Sequence, residues 1–356
     1  MLAALCRSYG GPDVVRVEEV PAPSVGAGQV RVSVHAAAVN FPDILLVADK
    51  YQVSVPVPFV PGSEFAGVVT EVGDQVSDRV SGAAVGDRAS AVALGDRVSA
   101  VAVGDRASAF AVGDRVSGTT IVGAFAEEIV VSAQAVTGIP PGVEDAAAAA
   151  FGVAHRTAYH VLRSVAALRP GEELVVLGAG GGVGLAAVQL GTVLGATVTA
   201  VASTKEKLDI ARSFGAVRLV DHRSGDLRRR LRELLPEGAD VVVDPVGGEI
   251  AEPALRSLRW GGRFVTVGYA SGTVPRIALN LVLLKGIHIL GFQFRDFALH
   301  APDELVRNER ELMELFSDHR AFPHIGATFD LQHVSDALRF VADGRAIGKV
   351  VLQVRK

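Results

Sequence analysis

A chain of 356 residues, 49% of them hydrophobic, is long enough for two domains with full cores, and a formal net charge of −4 gives no basic excess for nucleic acid or an anionic membrane. The single cysteine, Cys6, excludes an internal disulfide and a thiolate-rich zinc site, as expected of a protein in a reducing cytoplasm. The opening Met-Leu-Ala-Ala-Leu-Cys-Arg7 is too short and too soon charged for a secretory signal.

The first 75 residues predict a β-rich region, because 14–20, 29–36 and 65–72 are apolar, β-branched and punctuated by Pro and Gly. Residues 85–120 then spell four units of nine, from Val-Gly-Asp-Arg-Ala-Ser-Ala-Val-Ala to Val-Gly-Asp-Arg-Val-Ser-Gly-Thr-Thr. A calcium-binding β-roll requires Gly-Gly-x-Gly-x-Asp in each unit, whereas here one glycine precedes the Asp and an Arg neutralises it. The reading is a tandem expansion with no catalytic role. From about 145 the pattern alternates βα: strands at 174–177, 197–202, 217–220, 240–244 and 263–268, helices at 185–194, 205–214 and 225–235. The apolar stretch 174–202 is broken by glycines and Gln189 and is a strand, helix and strand rather than a membrane span. Past 290 the pattern is mixed and ends in a helix at 334–342 and a strand at 349–353. A nucleotide domain is thus inserted in another domain that both ends of the chain close.

The most informative stretch is Val175-Val-Leu-Gly-Ala-Gly-Gly-Gly-Val-Gly184. Counted from Gly178 the strict G-x-G-x-x-G spacing lands on Val183, but the βαβ context points to a dinucleotide site. Gly180, Gly181, Gly182 and Val183 are expected to bring backbone N–H groups and a positive helix terminus to a pyrophosphate. After the second strand, where an NAD site would carry an acid about 20 residues past the glycines, the chain reads Ser203-Thr-Lys-Glu-Lys207. A hydroxyl and lysines there favour a 2′-phosphate, hence NADPH. Asp244, at the end of its strand, belongs by the cofactor crevice.

His35-Ala-Ala-Ala-Val-Asn40-Phe-Pro-Asp43, Tyr51, Pro61-Gly-Ser-Glu64-Phe-Ala-Gly67, Gly123-Ala-Phe-Ala-Glu127, Thr157-Ala-Tyr159 and the glycine loop together resemble the medium-chain dehydrogenase/reductase superfamily, in its zinc-independent quinone oxidoreductase branch. The resemblance covers 1–75 and 112–356. It implies an α/β fold with a Rossmann nucleotide-binding domain (145–290) inserted in a β-rich GroES-like catalytic domain (1–144 and 291–356), and a homodimer. One Gly-Asp turn leading into a strand suffices for such a fold, so three of the nine-residue units are surplus.

Zinc enzymes of the superfamily have Cys where this chain has Asn40 and His where it has Ser63, so no metal is expected. His35, His155 and His160 read as hydrogen-bonded structural residues, and Glu64 as one arm of a salt bridge beneath the nicotinamide pocket. By resemblance, Asn40 hydrogen-bonds near the nicotinamide or substrate and Tyr51 donates to a developing quinol oxygen, without the second tyrosine that the family places at Leu45. The NADPH contacts carried over are Ser203, Lys207, His222 (where a tyrosine is common) and Arg345, with backbone contacts from Gly268, Tyr269, Phe292 and Phe294. The expected substrate is a quinone. The alternative is an enone, since fatty-acid and polyketide enoyl reductases share the Val-Asn-Phe-x-Asp pattern.

Overall fold

The computed structural model describes residues 1–74 and 110–355. Most of the nonapeptide repeat lies outside the described residues. Two compact units are formed: Met1–Val153 with Ile325–Lys356, and Ala154–His324.

In the first unit, β1 (Leu2–Cys6) and β2 (Val15–Glu19) make an antiparallel ribbon, followed by β3 (Gln29–Val39), β4 (Glu64–Val72), β5 (Arg115–Thr119), β6 (Glu128–Ser132) and β7 (Val136–Gly138). The strand read at 29–36 continues to Val39, because Ala37, Ala38 and Val39 are buried between neighbours on both sides. The last repeat unit behaves as its sequence requires. Gly113 takes a positive φ of 99°, Asp114 Oδ2 accepts from Ala111 N at 2.8 Å, and the chain then enters β5.

The second unit carries β8 (Glu173–Leu177), β9 (Thr197–Ala202), β10 (Arg218–Asp221), β11 (Ala239–Asp244), β12 (Leu258–Thr266) and β13 (His288–Gly291) in one parallel sheet, ordered β10-β9-β8-β11-β12-β13. Taken in the unit's own sequence, that is the 3-2-1-4-5-6 order of a doubly wound nucleotide-binding sheet, whose switch point falls between β8 and β11. Leu174 to Leu177 and Val241 to Val243 are fully buried, as strands covered on both faces must be.

The chain returns to the first unit as β14 (Ile325–Asp330) and β15 (Lys349–Gln353), completing a seven-stranded sheet ordered β14-β15-β3-β4-β5-β7, with β6 pairing on β3. Its core holds Val30, Val32, Phe65, Phe125, Leu338 and Leu352.

Residues 291–324, expected from the sequence with the catalytic domain, pack in the nucleotide unit instead. The physical reason is an ionic and aromatic knot. Glu309 accepts from Arg156 Nε at 2.7 Å and pairs with His160 Nε2 at 2.9 Å, while Phe292, Phe294 and Phe297 surround the His160 ring. Likewise the boundary read at 144/145 falls at 153/154, within the helix Asp145–His160. Among the described residues no helix is long and apolar enough to cross a membrane.

Candidate active site

In the nucleotide unit, β8 ends at Leu177 and the chain turns through Gly178 into the helix Gly182–Val193, capped by Gly181. The first-turn amides of that helix, Gly182 and Val183 among them, have no intrahelical acceptor and face outward at its positive end. The turn is tight. Gly181 N donates to Gly178 O at 2.9 Å, and a Cβ on Gly184 would stand 2.1 Å from Gly178 O.

The basic side chains converge on this loop. Thr204 caps the helix Lys205–Ser213 by accepting from Lys207 N at 3.3 Å, which turns the Lys207 stem across Gly180, where a Cβ would meet Lys207 Cβ at 2.5 Å. Burial, then the charge of Arg223, holds the Lys207 ammonium below the usual lysine range, with Glu206 opposing. Burial, again with Arg223, lowers His222, and Lys207 adds to that effect. Lys207 and Arg223 therefore form one positive pair, with the imidazole of His222 beside them and half-buried Ser203 four residues before Lys207. Arg223 escaped the sequence reading, although it directly follows His222.

Asp244, at the end of β11, also shapes the turn that follows. It is fully buried, and its Oδ1 accepts from Val246 N and Gly247 N, both at 2.8 Å, shaping the turn that lays Val246 against Gly178. Burial raises its carboxyl, with the two N–H groups opposing. Gly268 N leans on Asp244 O at 3.4 Å, and the Tyr269 ring lies against Gly247. Phe292 N is engaged by Thr266 O at 3.2 Å, and the Phe294 ring lies under the Arg156 guanidinium. Arg345 belongs to the first unit, over the Phe340 ring and 3.5 Å from Asp343.

In the first unit, Asn40, Ser63 and Glu64 meet around an ammonium. Lys349, on β15, donates to Asn40 Oδ1 at 2.5 Å and to Glu64 Oε1. Asn40 Nδ2 donates to Glu64 Oε1 at 2.9 Å, Ser63 Oγ at 3.2 Å and Ala38 O at 3.3 Å. Glu64 Oε2 accepts from Val153 N at 2.7 Å. Lys349 and Glu64 side chains are 4% and 1% exposed, so each charge depends on the other. Sequence reasoning supplied the carboxylate of this salt bridge and missed its cation. Asn40 also starts the helix Phe41–Val47, its N–H donating to Asp43 Oδ2 at 2.7 Å.

Asp43 is fully buried, and desolvation pushes its carboxyl up from 3.8 to about 7, helped by Glu64 and opposed by Asn40 N–H, Ser63 and Lys349. Tyr51 packs on the edge of the core, and burial, then the charge of Asp43, raises its phenol, which stays protonated at neutral pH. Between 3.8 and about 7 the folded chain keeps a proton on Asp43 that the unfolded chain has lost, so this residue's contribution to stability falls as pH rises through that window. Asp43→Asn is expected to flatten the pH dependence and to be the more stable protein at pH 8 but not at pH 4; thermal melts across that range check it.

The histidines are engaged. His35 Nδ1 pairs with Asp145 at 2.7 Å, His155 Nε2 with Gln189 at 3.1 Å, and His160 with Glu309 and Asn308. Among the described residues no three His, Cys, Asp or Glu side chains group as a metal site would need.

Two family models match: the alcohol dehydrogenase GroES-like domain over residues 26–141 and the zinc-binding dehydrogenase over 182–315. The second covers the nucleotide unit, not Asn40, Ser63 or Glu64. The chain is 33% identical to quinone oxidoreductase-like protein 2 homolog of Nematostella vectensis, over 99% of this chain and 89% of that one. It is 35% identical to a segment of polyketide synthase GfsB of Streptomyces halstedii, over 92% of this chain and 5% of that protein. Among solved structures, the quinone oxidoreductase of Thermus thermophilus, studied alone and with NADPH, superposes with a TM-score of 0.79 at 27% identity, over 99% of this chain and all of that one. With this sheet order, glycine loop and near-complete overlap with the Nematostella vectensis relative, the chain belongs to the quinone oxidoreductase-like branch of the medium-chain dehydrogenase/reductase superfamily.

Proposed function

We propose that this protein is an NADPH-dependent oxidoreductase that reduces quinones without zinc. The observation that carries the reading is the Lys207 stem lying across Gly180 with His222 and Arg223 beside it, a positive grip where an NAD site would place an acid. The NADPH complex of the Thermus thermophilus relative supports it. When bound, the reduced nicotinamide supplies a hydride. The chain's own residues do the rest. Gly180, Gly181, Gly182 and Val183 present backbone N–H groups to the pyrophosphate. Lys207, Arg223 and Ser203 hold the 2′-phosphate, and His222 stacks on or donates to the adenine. Gly268 and Tyr269 offer backbone groups; Phe292, Phe294 and Arg345, whose side chains have partners inside their own units, are secondary contacts.

On the substrate side, Tyr51 polarises a quinone oxygen and passes it a proton. Asn40, with its amide committed to Lys349, Ser63 and Glu64, acts by holding the helix that carries Asp43. Lys349 supplies the cation that zinc supplies elsewhere in the superfamily, but as a structural charge. The lone buried Cys6 suits a cytoplasmic setting. A homodimer is favoured by β13, an unpaired sheet edge carrying Ile289, and by the nearby exposed Leu279, Leu283 and Leu284; light scattering should return twice the chain mass.

The test is a substrate and cofactor matrix. 9,10-Phenanthrenequinone and 1,4-benzoquinone should be reduced with higher kcat/KM than crotonyl-CoA or trans-2-hexenal, unchanged by chelators. NADPH should bind at least about tenfold tighter than NADH, roughly 1.4 kcal/mol, and Lys207→Ala should erase most of that preference. Equal affinity for the two cofactors overturns the cofactor assignment. A clear preference for the enoyl thioester promotes the second reading, enone reduction, which rests on the likeness to the polyketide synthase segment and on Val39-Asn-Phe-Pro-Asp43.

A further inference from the structure

In the nucleotide unit, the glycine loop sits at the C-terminal ends of the parallel strands, where ligands of such sheets bind. At the other end, before β11, β12 and β13, a cavity of about 290 Å³ is lined by Arg228, Arg232, Arg256, Arg259, Trp260 and Lys285. Glu237 is the one carboxylate in its lining. Two of the five cations have carboxylate partners among the described residues, Arg256 with Glu252 at 2.6 Å and Arg259 with Asp240. Arg228 and Arg232 stand one turn apart on the helix Leu227–Leu234 and form no ion pair among the described residues, while the neighbouring Arg229 and Arg230 both reach Glu233. Lys285 Nζ donates to Arg256 O at 2.8 Å, and burial, with Arg228, Arg232 and Arg256 around it, pushes its ammonium below the lisyl range expected in water.

We propose that this cavity is a second anion site, separate from the cofactor site, which binds the di- or triphosphate group of a ligand. Two arginine forks and an ammonium, opposed only by Glu237, leave a positive surplus that a single carboxylate would not balance and a polyphosphate would. Like charges at i and i+4 on a helix are unfavourable without a counter-charge, and the anion is that counter-charge. Trp260, 75% exposed with its ring set against Gly286, gives the rim an aromatic face on which a nucleotide base can stack.

Trp260 is the only tryptophan of the chain, so intrinsic fluorescence reads this cavity without a label. Titration of the full chain with tripolyphosphate at constant ionic strength should give a saturable change. In Arg228→Ala/Arg232→Ala the dissociation constant should weaken at least about tenfold. Both side chains are exposed, so the fold should survive, and circular dichroism verifies it. Lys207→Ala should leave the titration unchanged, which separates this site from the cofactor's. ATP binding tighter than tripolyphosphate identifies a nucleotide as the ligand, and equal binding identifies the phosphate chain alone. The proposal is overturned by no saturable change, by a change that sulfate reproduces at equal ionic strength, by one that survives the double substitution, or by one lost in Lys207→Ala.

Discussion

Lys349→Met is expected to destabilise the protein by about 3–5 kcal/mol, because it strands Glu64 as an uncompensated buried charge. For a unit of this size the thermal midpoint should fall on the order of 10 °C. The loss has two parts. Glu64 Oε1 and Asn40 Oδ1 both give up the ammonium donor, and neither has access to water, Asn40 being 7% exposed. Adding Glu64→Gln should recover part of the stability, since it removes the stranded charge and its amide oxygen can still accept from Val153 N. A double-mutant cycle by chemical denaturation measures the coupling. If Lys349→Met alone melts within a degree or two of the unsubstituted protein, the buried pair is not what holds this cluster together.

Gly184→Ala is expected to cost NADPH affinity on the order of 10²-fold, because withdrawing a first-turn amide from the pyrophosphate gives up a hydrogen bond to a charged group, worth about 1.5–3 kcal/mol. The new Cβ would stand 2.1 Å from Gly178 O and 2.7 Å from Gly178 C, backbone against backbone, with no flexible side chain to move aside. The helix Gly182–Val193 must retreat from the end of β8, and its first-turn amides retreat with it. Overpacking of this kind also costs about 1–3 kcal/mol of stability. Gly181→Ala is the control, since its Cβ finds nothing nearer than Gly178 O at 3.5 Å and its thermal midpoint should stay put. Isothermal titration with NADPH on the three proteins decides the matter, and undiminished affinity in Gly184→Ala would show that the close approach is not needed for binding.

The nucleotide unit was largely legible in the sequence because its signals are local. A strand, a glycine turn and a helix follow one another within about 20 residues, the span over which periodicity is informative. Lys207 was legible for the same reason. Lys349 was not. It lies 285 residues from Glu64 and 309 from Asn40, in a strand where a lysine reads as a solvent-facing residue. The family pattern located Asn40, Ser63 and Glu64 as a zinc site without its ligands, yet only the register of β15 on β3, Val350 opposite Val39, brings the ammonium to them. The misplaced boundary near 290 has a similar cause. The helix Pro302–Ser317 lies in a stretch that reads only as mixed, and its buried Asn308 and Glu309 meet His160 and Arg156, about 150 residues earlier. Asp244 was legible as a strand-end residue, but the use of its Oδ1 by two neighbouring N–H groups depends on a turn geometry that composition does not specify.

β15 is inserted between β14 and β3, so the central strand of the first unit acquires the last of its three partners, β4, β6 and β15, only after residues 349–353 have been made. During synthesis the nucleotide unit, continuous from Ala154 to His324, has all its strands earlier. The first unit must wait with the Ala36–Val39 end of β3 open beyond β6 and Glu64 lacking its counter-charge, the state in which a nascent chain is most exposed to wrong edge pairing and most in need of a holding chaperone.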